Sequence, residues 1–373
     1  MLTPLDESLL HQAPTTFDHA VTSDHRFFDR WAVGAQHPSA SVIYGLANYK
    51  NTDVCDGFLC VQHGDRQHNL RVSRPLRPDF SMRIDPLGIE VLEPLWTHRL
   101  VVEPTGGSPL SCELTWTGGL PAREEQPHHQ RTRGRTVQDY CRLDQLGTAS
   151  GWVAIGDQRL ELREAFAWRD HSWGVRPGMG GQDPATEHPA GAAPEAARGS
   201  LFVWLAFRAG RAAGQFQLRE AGSGEREAID GHLLPDVDDP HTSLSVVDIR
   251  HRISFVDGHT AFDRADLLVT TGDRRQWTFE HVPLRAPWVF SGGGYSGGWD
   301  DRQGLGVPRG EVLQADEYRF AGPADVVMPD GTVAQPWHRE TDVTTAVNGM
   351  VGDGHLTVIA RPPLPPDTLG VGG

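Results

Sequence analysis

Lysine is almost absent from the sequence. Arginine supplies nearly all the basic charge of the 373 residues, and Lys50 is the single lysine. A Schiff-base mechanism, which needs a lysine amine, is therefore excluded everywhere except at Lys50. The formal net charge is −15. Because phosphate binding needs concentrated basic side chains, this balance argues against nucleic acid as a partner.

Long apolar segments and disulfide patterns are missing as well. No run approaches the roughly 20 apolar residues that span a bilayer. The N-terminus has neither the basic nor the apolar region of a signal peptide. We therefore expect no membrane span and a cytoplasmic location. The four cysteines form no CxxC pair, which favours free thiols packed as small apolar side chains.

Helical periodicity is missing from every long segment. Short runs rich in Val, Ile, Thr and aromatic residues take its place, bounded by many of the 42 Gly and 27 Pro. Such runs are typical of strands. Examples are residues 41–49, 57–62, 99–103, 136–143, 152–155 and 159–168. The pattern predicts an all-β fold with two antiparallel β-barrel or sandwich lobes in one chain.

The predicted lobes are separated by an Ala-, Pro- and Gly-rich segment. Residues 177–200 have no alternating apolar face, so we predict a flexible linker or a long surface loop there. The N-terminal β-barrel lobe then covers residues 1–176, and the C-terminal β-barrel lobe covers residues 201–373.

The most informative segment lies at the end of the first lobe, where residues 159–170 read RLELREAFAWRD. Strict strand alternation places Glu164, Trp168 and Asp170 on one apolar face and Arg169 on the other. Buried carboxylates have raised pKa values, which suits Glu164 and Asp170 for general acid work. His171 and Trp173 follow where this strand is predicted to end.

The same residues have a purely structural interpretation, which stays open. Arg169 then pairs with Asp170 or Glu164, His171 is a hydrogen-bonded buried histidine, and Trp173 closes the end of a barrel. No spacing rule distinguishes this corner from a catalytic cluster.

The segment Arg169-Asp170-His171-Ser172-Trp173-Gly174-Val175-Arg176 resembles the motif of the AttH-like, carotenoid 1,2-hydratase-related superfamily. Other compatible segments are Phe28-Asp29-Arg30-Trp31, Tyr44-Gly45-Leu46, Gly310-Glu311 and Glu317-Tyr318. The resemblance covers most of the chain, but only residues 169–176 are specific. It implies two lipocalin-like lobes with a ligand cavity, and a cofactor-independent reaction on a hydrophobic molecule.

Within that resemblance, Asp170 is the predicted proton donor or relay. His171 orients Asp170 or is the base, and Glu164 is the alternative acid. Trp168 and Trp173 are predicted to shape the cavity and to stabilise positive charge on the substrate.

A second set of candidates is predicted to contact the ligand. Residues 291–298 read SGGGYSGG, which formally matches GxSxG and GxGxxG but lacks the alternating strands and helices that both motifs need. We predict a mobile glycine-rich loop at a cavity mouth, with Tyr295 and Trp299 against ligand. Trp288 is predicted to line an aromatic pocket, and Asp266 is a further candidate buried acid.

The 18 histidines show no recognisable metal-ligand spacing, so neither a metal nor a cofactor is predicted. The basic run at residues 123–135 is predicted to be a solvated loop. Two functions stay open: an enzyme that hydrates, dehydrates, isomerises or cyclises a terpenoid, polyketide-like or phenolic molecule, and a carrier that binds such a molecule unchanged. An interaction scaffold and a homodimer are also compatible with the sequence.

Overall fold

The structure is a computed structural model of the chain, and it describes most of the sequence. The described residues are 7, 9, 11, 13–77, 81–132, 134–181, 199–239, 241–322, 324–335 and 338–369. Of the predicted linker, residues 182–198 lie outside the described residues.

The chain divides into two units. Unit 1 comprises Met1–His63, His68–Gln182 and Phe290–Asp316. Unit 2 comprises Gly64–Gln67, Asp183–Val289 and Glu317–Gly373. Unit 1 therefore includes the glycine-rich segment 290–316, which the predicted boundaries place in the C-terminal lobe.

Unit 1 is built on a long antiparallel sheet. Its strands are β1 (Phe27–Gln36), β2 (Ser41–Tyr49), β3 (Val54–His63), β4 (Arg66–Pro75), β5 (Arg83–Ile84), β6 (Leu87–Glu93), β7 (Thr97–Val102), β8 (Leu110–Gly118), β9 (Arg123–Glu124), β10 (His128–Thr132), β11 (Arg135–Ile155) and β12 (Gln158–Val175). The first two residues of β4 belong to unit 2.

The strand order of unit 1 is β4-β3-β2-β1-β12-β11-β8-β7-β6-β5, and β9 and β10 pair with β11. Although β3 and β5 are far apart in this order, the sheet curls until they touch. A Cβ at Gly57 of β3 would lie 3.0 Å from a methyl carbon of Ile84 in β5. The concave side of the sheet therefore encloses the apolar core of the unit.

Side chains that point into this core alternate along the strands, as a curled sheet with a buried face requires. Representative members, all nearly inaccessible to solvent, are Val33, Val42, Tyr44, Leu59, Leu70, Leu100, Leu114, Trp116, Val153 and Leu162. We call the side of the sheet that carries them the inner face.

A β-bulge in β12 changes which residues reach the inner face. Ala149 pairs with Ala165 and Gly151 pairs with Leu162, so two residues of β12, Arg163 and Glu164, face one residue of β11. Glu164 has a positive φ of 49°, and its backbone N–H donates to the Ser150 hydroxyl. The extra residue shifts the alternation that a regular strand would keep.

The predicted face assignment of β12 is consequently wrong beyond Leu162. Ala165 and Ala167 join the inner core with Leu162, whereas Glu164 is exposed. Arg169 lies on the inner face and Asp170 lies on the opposite one. The strand also continues to Val175, beyond the predicted end.

Unit 2 contains a closed barrel with the strand order β13-β14-β15-β16-β17-β18-β22-β23. Its bounds are β13 (Ser200–Ala209), β14 (Ala212–Ala221), β15 (Arg226–Leu234), β16 (Leu244–Phe255), β17 (Phe262–Thr271), β18 (Gln276–Pro283), β22 (His338–Val347) and β23 (Met350–Arg361). The barrel closes where β13 pairs with β23. Aromatic rings of Phe207, Phe216 and Phe279 pack edge to face in its core.

Three further strands are short or lie across the boundary between the units. They are β19 (Val312–Phe320), β20 (Val326–Val327) and β21 (Val333–Ala334), and β20 pairs with both of the others. Helical structure in the described residues includes short 3-10 turns at Lys50–Thr52 and Phe290–Gly293. Within the described part of the chain, no helix is long and apolar enough to cross a membrane.

The predicted all-β, two-lobed fold is confirmed. Each unit consists of antiparallel strands around its own apolar core, and the lobes are of the barrel or sandwich type that the strand pattern indicates.

Candidate functional site

The segment Arg169–Trp173 is divided between the two faces of the unit 1 sheet. In β12, Arg169, His171 and Trp173 point to the inner face, and Asp170 and Ser172 point to the other, which we call the outer face. This division follows from the bulge and from ordinary alternation beyond it. Asp170 and His171 therefore cannot act on one substrate atom together from their positions in β12.

Arg169 is a buried cation on the inner face. The residue is 2% exposed. Its Nε and Nη2 donate to Oε1 of Gln145 at 2.9 and 2.7 Å, and its guanidinium lies 5.0 Å from the centre of the Trp116 ring. Small residues on neighbouring inner positions, Ala165 and Ala167, leave room for these larger side chains. The predicted outward direction of Arg169 is wrong, because the bulge at Arg163 and Glu164 shifts the alternation of β12 by one residue.

Aromatic and imidazole rings form a continuous row beside Arg169. The ring of His98 lies 5.3 Å from that of Trp31 and 5.5 Å from that of Trp116. His98 is 4% exposed, and its Nδ1 is buried without a hydrogen-bond partner among the described residues. We call Trp31, His98, Trp116 and Arg169 the inner layer.

The inner layer has an electrostatic consequence for His98. Burial, and then the adjacent Arg169 charge and the His171 imidazole, lower the pKa of His98 to about 4. His98 is therefore neutral at pH 7, and one of its ring nitrogens is a hydrogen-bond acceptor.

This state of His98 can be measured directly. We expect the ¹⁵N shifts of its imidazole to stay those of a neutral ring from pH 7.5 down to pH 5. The unfolded histidine takes up its proton near pH 6.5, so between pH 6.5 and 4 the unfolded state binds more protons than the folded state. The free energy of unfolding therefore falls as the pH is lowered from 6.5 to 4. A titration of His98 centred near 6.5 would contradict the buried, cation-facing position.

His171 and Asp29 form an ion pair at the rim of the inner face. The His171 Nε2 lies 2.7 Å from an Asp29 carboxylate oxygen, and the side chains are 34% and 50% exposed. The Trp173 ring packs edge-on against the His171 ring at 5.2 Å. His171 is also the cross-strand neighbour of Trp31, a member of the inner layer. The rim is therefore open to solvent and adjoins the buried row of rings.

Asp170 belongs to a carboxylate cluster on the outer face. It is directly cross-strand from Asp144 of β11. Glu125 follows β9, and Arg142 of β11 holds its carboxylate through two hydrogen bonds of 2.8 Å. His128 bonds the same carboxylate at 2.7 Å. The basic run predicted as a solvated loop thus supplies a largely buried ion-pair network.

Protons are distributed unevenly in this outer cluster. Burial and the adjacent Glu125 carboxylate raise the pKa of Asp144 well above its usual range. Burial acts in the same direction on Glu125, but the Arg142 charge and the hydrogen bonds from His128 and Arg142 outweigh it and lower the pKa of Glu125. The proton of the pair therefore resides on Asp144.

Other predicted ligand-contacting residues of unit 1 lie on the outer side of the sheet. The Trp168 ring lies over Gly34, where a Cβ would be 2.5 Å from it. Tyr295 lies with its ring centre 5.1 Å from the Arg30 guanidinium. Trp299 is buried, and its indole N–H donates to the Gly294 carbonyl. The glycine-rich segment packs against β1 and β3 and does not border the inner layer.

Two predicted site residues belong to unit 2. Trp288 is buried, and its backbone pairs with Glu340. Asp266 forms ion pairs with Arg252 and Arg264. Burial raises the pKa of Asp266, but the two arginines outweigh burial and lower it. Asp266 is buried, as predicted, and its role as an acid that contacts a ligand stays a prediction.

Among the residues that the structure describes, no three His, Cys, Asp or Glu side chains are grouped as metal ligands would be. The described cysteines form no disulfide bond, and Cys55, Cys60 and Cys112 are buried.

Sequence reasoning missed the residues that complete the inner layer and its rim. Asp29 was noticed only within the family resemblance, and His98 and Gln145 were not considered. A usable signal is present in β11 and β12, where Gly147, Ala149, Ala165 and Ala167 are all small at alternating positions. Such positions mark a face on which bulky side chains from other strands are accommodated.

Comparison with solved structures shows the same architecture elsewhere. A crystal structure from Nitrosomonas europaea, described as a "putative AttH", matches with a TM-score of 0.55. The match covers 94% of this chain and 100% of that chain, at 11% sequence identity. A likeness at this identity shows the fold alone, so an AttH-like fold is confirmed.

Comparison with curated proteins finds no match. A family model described as a family of unknown function, DUF8625, matches residues 2–318. This match spans most of the sequence, including β1 to β12 and the segment 290–316 that completes unit 1. The chain therefore belongs to the family of unknown function DUF8625.

Proposed function

We propose that unit 1 binds a hydrophobic terpenoid, polyketide-like or phenolic small molecule at its inner face and acts on it by cofactor-independent acid–base chemistry. Hydration or dehydration, isomerisation and cyclisation are the reaction types that fit. The observation that carries the proposal is the His171–Asp29 pair, which lies at an accessible rim next to a buried row of aromatic rings.

His171 supplies the base in this proposal. Imidazole is the side chain best suited to proton transfer near neutral pH. Asp29 holds Nε2, which fixes the tautomer and stabilises the imidazolium that forms when Nδ1 takes a proton. Nδ1 of His171 has no hydrogen-bond partner among the described residues, so it is the nitrogen that would face a substrate.

The rings around His171 define the kind of molecule that fits. Trp173 forms part of the rim and Trp31 is the first ring of the buried row. Indole rings bind flat apolar groups and also stabilise positive charge that develops during protonation of a double bond. The predicted aromatic lining is retained in this proposal, with Trp31 and Trp116 in place of Trp168.

The experiment is a search for carbon-bound hydrogen exchange. The purified protein is incubated in D₂O with a panel of terpenoid and phenolic compounds. Each compound is then recovered, and its molecular mass is measured by mass spectrometry. We expect at least one compound to gain deuterium or water, and His171→Gln to slow that reaction about 100-fold or more. Glu161→Gln is the matched control, because Glu161 is exposed on the same strand.

Asp170→Asn discriminates between the two faces. We expect this variant to retain the reaction, because the Asp170 side chain points to the outer face, away from the proposed site. Loss of turnover in Asp170→Asn with full turnover in His171→Gln would contradict the proposed base. Recovery of bound compounds without any exchange would favour the carrier, which binds the same class of molecule without transforming it.

A further inference from the structure

Arg169 is a charged side chain in a position where charge is costly. Burying an isolated cation away from a counterion is unfavourable, and proteins normally pair it with a carboxylate. Among the described residues, no carboxylate lies within ion-pair distance of Arg169. Gln145 and Trp116 provide a neutral acceptor and a ring face, which lessen the penalty but do not neutralise the charge.

The nearby acids do not provide that counterion. Asp29 lies on the inner side but is engaged with His171 at the rim. Asp170 and Asp144 act on Arg169 from the outer face and favour its charged form, yet burial outweighs them and lowers the pKa of Arg169 to about 10. Arg169 remains protonated at pH 7, so the inner layer carries a positive charge.

The arrangement of donors shows where a counterion would bind. Nε and Nη2 of Arg169 are used by Gln145, whereas Nη1 donates to no described residue. Nδ1 of His98, in the same layer, is likewise without a partner and is buried. Two polar groups in one aromatic layer are thus left for a ligand, one a cation and one a neutral imidazole.

We infer that the molecule bound by unit 1 carries an anionic oxygen group, a carboxylate, phenolate or enolate, which Arg169 binds through Nη1. This inference rests on the proposed binding role of the inner face. The guanidinium is the side chain best suited to a planar anionic group, and Trp31 and Trp116 provide ring faces for the apolar remainder of the ligand. The substrate class is therefore a flat or polyene molecule with one acidic oxygen group.

The test compares two probes of nearly equal shape, 2-naphthoate and its neutral analogue 2-naphthamide, by isothermal titration calorimetry. We expect the wild-type protein to bind 2-naphthoate at least about tenfold more tightly, since hydrogen bonds to charged groups are stronger than neutral ones. Arg169→Gln is expected to bring this ratio close to one, because the group that distinguishes the charged probe from the neutral one is removed.

Two further variants serve as a matched control and as a charge-conserving replacement. Arg159→Gln is the matched control, because Arg159 lies on the same strand and stacks on Trp152 at 4.3 Å but is exposed. It should retain the wild-type ratio. Arg169→Lys keeps the charge without the planar donor group, and an intermediate ratio is expected. It serves as the primary variant if Arg169→Gln does not fold.

The outcomes separate this inference from the proposed function. Equal affinity for both probes, or a preference for 2-naphthoate that persists in Arg169→Gln, overturns the anionic ligand and leaves hydrophobic binding intact. No heat of binding for either probe at millimolar concentration overturns both.

Discussion

Replacing His355 with leucine is expected to lower the free energy of unfolding of unit 2 by about 3–5 kcal/mol, the usual cost of removing one partner from a buried ion pair. His355 is 1% exposed and lies between two carboxylates. Its Nδ1 is 2.9 Å from Asp342, and its Nε2 is 3.0 Å from Glu340. Without the imidazolium, the positive charge that lies between Asp342 and Glu340 is lost.

The pH dependence identifies the charge on His355 as the cause. Burial alone would lower the pKa of His355, but the hydrogen bonds to Asp342 and Glu340 outweigh it and raise the pKa to about 9. A pKa raised from 6.5 stabilises the folded state fully below pH 6.5, and that stability is lost as pH rises through 9. The difference between the folded-state pKa of about 9 and the ordinary value of 6.5 corresponds to about 3 kcal/mol of stability.

Urea unfolding of wild type and His355→Leu at pH 6 and at pH 9.5 measures both effects. We expect the difference in free energy of unfolding between wild type and His355→Leu to be largest at pH 6 and smaller at pH 9.5. His241→Leu is the control, because His241 is exposed in the same unit and its replacement should change stability by less than about 0.5 kcal/mol. A gap that is independent of pH would show that His355 acts by packing and not by charge.

Deletion of Glu164 is expected to leave unit 1 folded, although it removes a residue from the middle of the longest strand pair. Glu164 is the extra residue of the bulge, and its removal restores one-to-one pairing between Ala149 and Ala165 on one side and Gly151 and Leu162 on the other. Every inner residue keeps its face. The melting temperature should change by a few degrees at most.

Deletion of Ala167 is the matched comparison, because it also removes one residue from β12. Here the alternation beyond the deletion reverses, so Asp170 and Ser172 would enter the apolar core in place of Arg169 and His171. We expect loss of cooperative folding of unit 1, seen as missing dispersed amide signals in its NMR spectrum. Equal tolerance of the two deletions would contradict the bulge as the feature that sets the inner face.

The strand pattern was sufficient to predict the fold class and several strands. The apolar and β-branched run at Ser41–Tyr49 predicts β2 with the bounds that the structure has. By contrast, the pattern predicts two separate strands, 136–143 and 152–155, where the structure has the single strand β11. Gly147, Ser150 and Gly151 lie between the two predicted strands. In the structure these residues accommodate the bulge of β12, and pairing continues through them.

The candidate site could be predicted only in part, for the same physical reason. Period-two alternation locates a face correctly until an extra residue is inserted, and a bulge has no reliable sequence signal. Glu164 was therefore placed with buried residues, and Arg169 was placed away from them. The partners of His171 and Arg169 come from β1 and β11, and pairing over such sequence distances cannot be read from local pattern.

The segment 290–316 shows a second limit of local reasoning. The glycines at residues 291–298 predict a mobile loop, and the predicted boundaries place it in the second lobe. In the structure it belongs to unit 1, where the Gly306 N–H donates to Asp56 and the Gly292 carbonyl accepts from Arg71. Burial raises the pKa of Asp56 to about 6 despite these contacts. Nothing in the composition of the segment indicates which lobe it packs against.

Binding of an anionic aromatic molecule through Arg169 is the property of the inner face on which the proposed substrate class depends. The most direct measurement is a crystal structure of the protein soaked with 2-naphthoate. We predict the carboxylate about 2.7–3.1 Å from Nη1 of Arg169, a charge-assisted hydrogen bond, with the naphthalene ring against Trp31 or Trp116. A carboxylate bound at the outer face, or at a surface arginine with the inner layer unchanged, would contradict the claim.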